Sequence, residues 1–131
     1  MLFRSKFSAE DSTLAAEMIA VYKRIRATVQ TGDLYRLSSP RTNDVTVNEY
    51  VAVDGKQAVV FALRHSQQYD TAAPTIRLRG LDERALYKVE SVNHKLVERE
   101  AKLSGAYLMS AGLNVNLRGD FDGTAVILER Q

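Results

Sequence analysis

The chain has no cysteine and no tryptophan, two prolines, and no surplus of charge worth the name. Each lack excludes something. Without cysteine there are no disulfides, no thiolate zinc site and no cysteine nucleophile. Eighteen basic against 16 acidic residues leave a net charge of +2. The pI near 9.0 therefore describes a weak polyelectrolyte, and nucleic acid is not an expected partner. No window approaches the ~20 apolar residues of a membrane span, so no membrane partner is expected. Residues 1–7 lack the apolar run of about 7–15 residues that a secretory signal needs. A soluble, cytoplasmic protein is the expectation. What is present is ordinary globular composition, 45% apolar and 26% charged. At 131 residues, one compact domain can bury roughly two-thirds of its unfolded surface.

The clearest periodicity lies in residues 9–30. Leu14, Met18, Val21, Tyr22, Ile25 and Val29 follow at gaps of 4, 3, 1, 3 and 4, which is helical spacing. They fall in a stripe about 100° wide. Ser8 and Asp11 make a capping-box pair at the start, and Gly32 stands where a C-terminal cap belongs. Lys23, Arg24 and Arg26 sit in the second half, where the helix dipole favours cations. Ala16, Ala20 and Ala27 form a small-residue side that good helix propensity alone explains. Burying all six stripe residues would contribute on the order of 9–18 kcal/mol as an upper figure, so the helix must pack on something.

Beyond Gly32 the period falls to 2. Residues 33–37 read as a short strand, with Pro40, Asn43 and Asp44 as loop signals. Val45, Val47, Val51 and Val53 share one face of the next strand, interrupted by Glu49. Asp54-Gly55 predicts a type I′ hairpin turn, because that turn needs positive φ. The continuous apolar run of residues 58–63 predicts a central strand covered on both faces. Ile76-Arg77-Leu78-Arg79 alternates strictly, followed by a turn at Gly80. Residues 86–92, 96–100, 113–117 and 125–128 give further strands. The fold class expected is mainly β: an antiparallel β-sandwich of about eight strands preceded by one long N-terminal α-helix. The division expected is residues 1–31 for the helix and 32–131 for the sandwich.

Motifs that carry chemistry are sparse. His65 and His94 stand apart without metal-ligand spacing, and each reads as a surface or turn residue. Asp120, Asp122 and Glu129 partly match a calcium loop, but Arg118 stands at the first-ligand position and a strand follows, so the match reads as a turn. Arg118-Gly119-Asp120 spells the adhesion tripeptide, too short to be specific. Ser104 predicts the cap of a short helical turn ending at Gly112, and no base is readable for it as a nucleophile. Tyr35, Tyr50, Tyr69 and Tyr87 are candidates for stacking on a sugar ring. No catalytic, cofactor-binding or metal-binding residue is nominated, and no cofactor is expected.

Read continuously, several stretches resemble one family. They are Val21-Tyr22-Lys23-Arg24-Ile25-Arg26, then Val29 through Pro40, Ala58-Val59-Val60-Phe61-Ala62, Ile76 through Asp82, Leu86-Tyr87-Lys88-Val89, Ser104 through Leu113, and Gly119-Asp120-Phe121. In this order they look like the C-terminal region of family 36 glycoside hydrolases, the bacterial-type α-galactosidases. Ser110 departs from the asparagine usual there, and residues 41–48 match poorly. The resemblance implies that residues 9–31 are the last helix of a catalytic (β/α)8 barrel and that the rest is the β-sandwich behind it. The nucleophilic and acid/base aspartates of that family sit on barrel strands that would precede Met1, so neither maps onto a position here. Retaining hydrolysis needs two carboxyl groups about 5–5.5 Å apart, and no pair in this chain is nominated for it.

The function expected from the resemblance is a non-catalytic accessory domain of an enzyme that hydrolyses terminal α-galactosides, inactive by itself. Its expected partner is the parent catalytic barrel. With the barrel absent, the helix stripe would join copies into a homo-oligomer or leave the helix detached. Two other readings compete: an independent carbohydrate-binding module, and an unrelated sandwich for protein interaction.

Overall fold

The computed structural model describes residues 8–39, 41, 43–67, 72–97 and 101–131. Helix α1 spans Ala9–Thr31. The capping box closes its start as expected: Ser8 Oγ accepts the Asp11 N–H at 3.0 Å, and the Asp11 carboxylate accepts the Ser8 N–H at 3.2 Å. Gly32 caps the other end, but in extended backbone (φ −77°, ψ 170°) instead of the left-handed cap that glycine usually supplies. Its reason is close approach. A Cβ there would lie 2.4 Å from the Thr28 carbonyl oxygen and 2.5 Å from that of Val51.

The strands are β1 Asp33–Ser38, β2 Val45–Val51, β3 Gln57–Arg64, β4 Leu86–Ser91, β5 Ala101–Ser104 and β6 Asp122–Arg130, with a short helix α2, Gly105–Ser110, between the last two. All six form one antiparallel sheet in the order β1-β2-β3-β6-β4-β5. β3 lies inside the sheet and is covered on both faces, as its unbroken apolar run predicts. On one face Val47, Val60, Val89 and Leu128 pack beneath Leu78, Leu108, Leu113 and Leu117. On the other, Val59 and Ile127 meet Ile25 of α1.

The expected mainly-β, sandwich-like class holds, but the ladder has six strands among the described residues where about eight were expected. The second layer keeps the burial alternation of strands without their hydrogen bonds. Ile76 and Leu113 exchange two backbone bonds, and Leu96 bridges Val115, each as an isolated contact. The neighbouring donors go elsewhere: Leu78 N–H to the Leu108 carbonyl, Arg79 N–H to the Glu49 carboxyl. Side-chain burial sets period 2, while strand identity also needs a continuous partner.

Three local expectations shift. The strand expected at 96–100 is reduced to the Leu96 bridge; residues 98–100 lie outside those described, and the strand proper is β5. Val53, expected on the buried face of β2, is 80% exposed at the hairpin tip. The turn there is not type I′, since only Gly55 has positive φ (72°). Gly55 N–H returns to the Ala52 carbonyl at 2.9 Å, a tight turn followed by one left-handed glycine. Ser104 caps α2 as expected, its hydroxyl accepting the Tyr107 N–H at 3.1 Å.

Candidate functional site

Helix α1 divides into two halves. The half from Val21 onward lies on the sheet: Val21, Ile25 and Val29 pack with Val59, Phe61, Val92 and Ile127. Polar contacts frame this apolar seam. Thr28 donates its hydroxyl to the Gln57 side chain, and Gln57 Nε2 donates to the Arg24 carbonyl at 3.4 Å. Arg24 Nε donates to Glu129 at 2.7 Å, and the same guanidinium pairs with Glu90. Glu90 and Glu129, two carboxylates brought to one side of the helix, are thus both spent on a structural clasp.

The other half stands free. A helix of 23 residues is about 34 Å long. Before Val21 its described side chains are exposed, except for half-buried Ala15. Leu14 is 55% exposed, Met18 41% and Tyr22 53%, on the same stripe as buried Ile25. The stripe read from the sequence is therefore continuous, but only its C-terminal end is used. An apolar row that runs past its support marks a contact surface. The expectation of a detached helix is corrected, because the Arg24 clasp and the Ile25 seam hold it.

The other candidates resolve into structure. His65 lies at the surface, 2.6 Å from the Thr46 hydroxyl. His94 is exposed in a turn with φ 57°. Asp122 accepts the Arg118 N–H and pairs with Lys95 Nζ, both at 3.0 Å; those hydrogen bonds hold its carboxyl below the usual range. Asp120 and Phe121 form a turn that leads directly into β6, and no cluster of metal-ligating side chains occurs among the described residues. Of the four tyrosines, Tyr87 is 1% exposed, with its hydroxyl accepting the Asp82 N–H, which corrects the expectation that it is available for stacking. Tyr50 packs edge-on against Phe61, Tyr35 is half-buried over Gly80, and Tyr69 lies outside the described residues. Among the described residues, Tyr35, Tyr50 and Tyr87 form no shared platform.

Two buried charged side chains were not singled out in the sequence. Arg64 continues the inward alternation of Ala58, Val60 and Ala62, and its guanidinium donates to Asp44 at 3.0 Å and to the Leu117 carbonyl at 2.7 Å. Glu49, read only as an interruption of a valine face, points into the core between Val47 and Val51 and is fully buried. One carboxyl oxygen accepts the Arg79 N–H at 2.7 Å, while the other has no partner among the described residues. Burial pushes its pKa up to about 7, against the opposing pull of the Arg79 N–H and charge.

The fold and this surface define a mainly-β domain fastened to one helix, the N-terminal half of which is exposed. Comparison with known proteins gives the family. Residues 45–128 match the model of the glycosyl hydrolase family 36 C-terminal domain, and the chain belongs to that family. It is 33% identical over 122 residues to alpha-galactosidase 2 of Hypocrea jecorina, covering 93% of this chain and 15% of that protein. With alpha-galactosidase C of Emericella nidulans the identity is 34%, with the same two coverages. Among solved structures, the family 36 α-galactosidase AgaB from Geobacillus stearothermophilus superimposes with a TM-score of 0.81 at 26% identity, covering 98% of this chain and 17% of that one. The chain thus spans about 15% of the length of the curated relatives it matches.

Proposed function

We propose that this chain is the non-catalytic C-terminal domain of an enzyme that hydrolyses terminal α-galactosides, and that α1 fastens it to the catalytic barrel. The observation that carries this reading is the divided helix. Its C-terminal half is clasped to the sheet, while Leu14, Met18 and Tyr22 continue the same apolar stripe into solvent. Covering what remains exposed of those side chains would contribute on the order of 1 kcal/mol each. In a larger enzyme the barrel is the natural cover; without it a second copy of the chain competes for the same stripe. The reading as an independent carbohydrate-binding module is less well supported, because Tyr87 is buried and Tyr50 is engaged by Phe61.

Calorimetric titration of galactose, melibiose and raffinose into the chain, with nitrophenyl α-galactoside turnover as control, tests the proposal. Neither binding nor turnover is expected. Saturable binding without turnover would favour the sugar-binding module. Turnover that survives repurification would overturn the non-catalytic reading.

A further inference from the structure

Residues 74–79 and the β1–β2 end of the sheet enclose a cleft of about 430 Å³. Leu37 and Met109 give it apolar walls, and Ser38 and Asn43 lie along it. Among the described residues its charged lining is Arg77 and Arg79, with no carboxylate. The polar walls are already fixed from within. Asn43 donates to Ser38 Oγ at 2.8 Å and accepts the Val45 N–H at 2.8 Å, while Ser38 donates to the Val45 carbonyl at 2.6 Å.

The two arginines keep donors to spare. Arg77 gives Nε to the Ser110 carbonyl at 3.0 Å, which orients the guanidinium and leaves its terminal amino groups. Arg79 uses its backbone N–H on Glu49, and its charge also acts on that buried carboxyl, but its guanidinium makes no hydrogen bond or ion pair among the described residues. Ile76 and Leu78 are buried, so the arginines alternate outward from an anchored backbone. At that spacing their Cα atoms lie about 6–7 Å apart, within reach of two oxygens of one anion.

We propose that this cleft, through Arg77 and Arg79, binds a small organic anion carrying a carboxylate or phosphate group. Guanidinium forks suit both oxyanions, and the apolar walls accept the body that carries the group. No residue of the α1 stripe lines the cleft.

The test is a titration followed by NMR of the arginine Nε–H and backbone amide signals. The probes are galacturonate and inorganic phosphate, with galactose as the neutral control. Saturable shifts at Arg77 and Arg79 are expected with an anion and not with galactose. Raising the salt from about 50 to about 500 mM should weaken them. The tighter of the two anions identifies a carboxylate or a phosphoryl ligand. Arg79→Gln keeps the backbone N–H to Glu49 and is expected to weaken binding at least about tenfold, with the amide spectrum reporting the fold. Arg77→Gln, which also removes the Ser110 contact, serves as the second variant. The proposal is overturned if neither anion saturates up to about 20 mM, if galactose binds as well, or if Arg79→Gln leaves the shifts unchanged.

Discussion

A carboxyl among valines costs free energy when it ionises, and Glu49 occupies such a place with a single N–H to accept. Burial pushes its folded pKa up to about 7, from an ordinary value of 4.5. Stability from the protonated form is fully present below the unfolded value and is lost as the pH rises through the folded one. Across that window the loss is on the order of 3 kcal/mol. Glu49→Gln keeps an acceptor for Arg79 and does not titrate. The variant is therefore expected to gain on the native chain as pH rises from 4.5 to 8, read from urea midpoints at each pH. A gap that does not change with pH would contradict this. Arg64 is the opposite case, a buried cation whose partner Asp44 is partly exposed. Asp44→Ala removes that counter-charge and should cost about 2–3 kcal/mol in the same unfolding experiment. Both residues could have been noticed as charged side chains on an inward-facing alternation. Their partners could not, because Arg79 and Leu117 approach from the irregular layer.

The helix was the most legible element and also the one whose burial was misjudged. Spacing gives the stripe, the capping box and the boundary at Gly32, since these depend on neighbours in the chain. It does not say how far the support beneath extends, which is set by where the sheet ends. Two substitutions separate the halves. Gly32→Ala places a methyl group against two carbonyl oxygens and should destabilise the junction by about 1–3 kcal/mol, seen as a lower thermal midpoint. Leu14→Glu with Met18→Glu should leave the fold intact, because both side chains are exposed. The isolated chain is expected to associate at high concentration and the double variant to remain monomeric by light scattering. Equal association of the two would place the contact elsewhere. The second layer shows the reverse lesson: its buried alternation was legible at Ile76, Leu78, Leu113 and Leu117, but its lack of a continuous ladder was not.

For the whole molecule, the family and the succession of one long helix and then a mainly antiparallel β region were legible in the sequence. Three expected strands proved to be isolated bridges or irregular backbone, and β5 was not foreseen. The arrangement of the surfaces was not legible either. Nothing in the chain's spacing reveals that Arg24 ties α1 to β4 and β6, or that Arg77 and Arg79 line one cleft. On the proposed function, α1 holds this domain to a larger enzyme. The most direct measurement is the thermal midpoint of α-galactosidase activity in a chimera in which this chain replaces the corresponding 17% of the Geobacillus enzyme AgaB. The account predicts an active chimera whose midpoint falls by several degrees with Leu14→Glu and Met18→Glu, as an uncovered apolar contact is lost. An active chimera whose midpoint ignores the double substitution would contradict it.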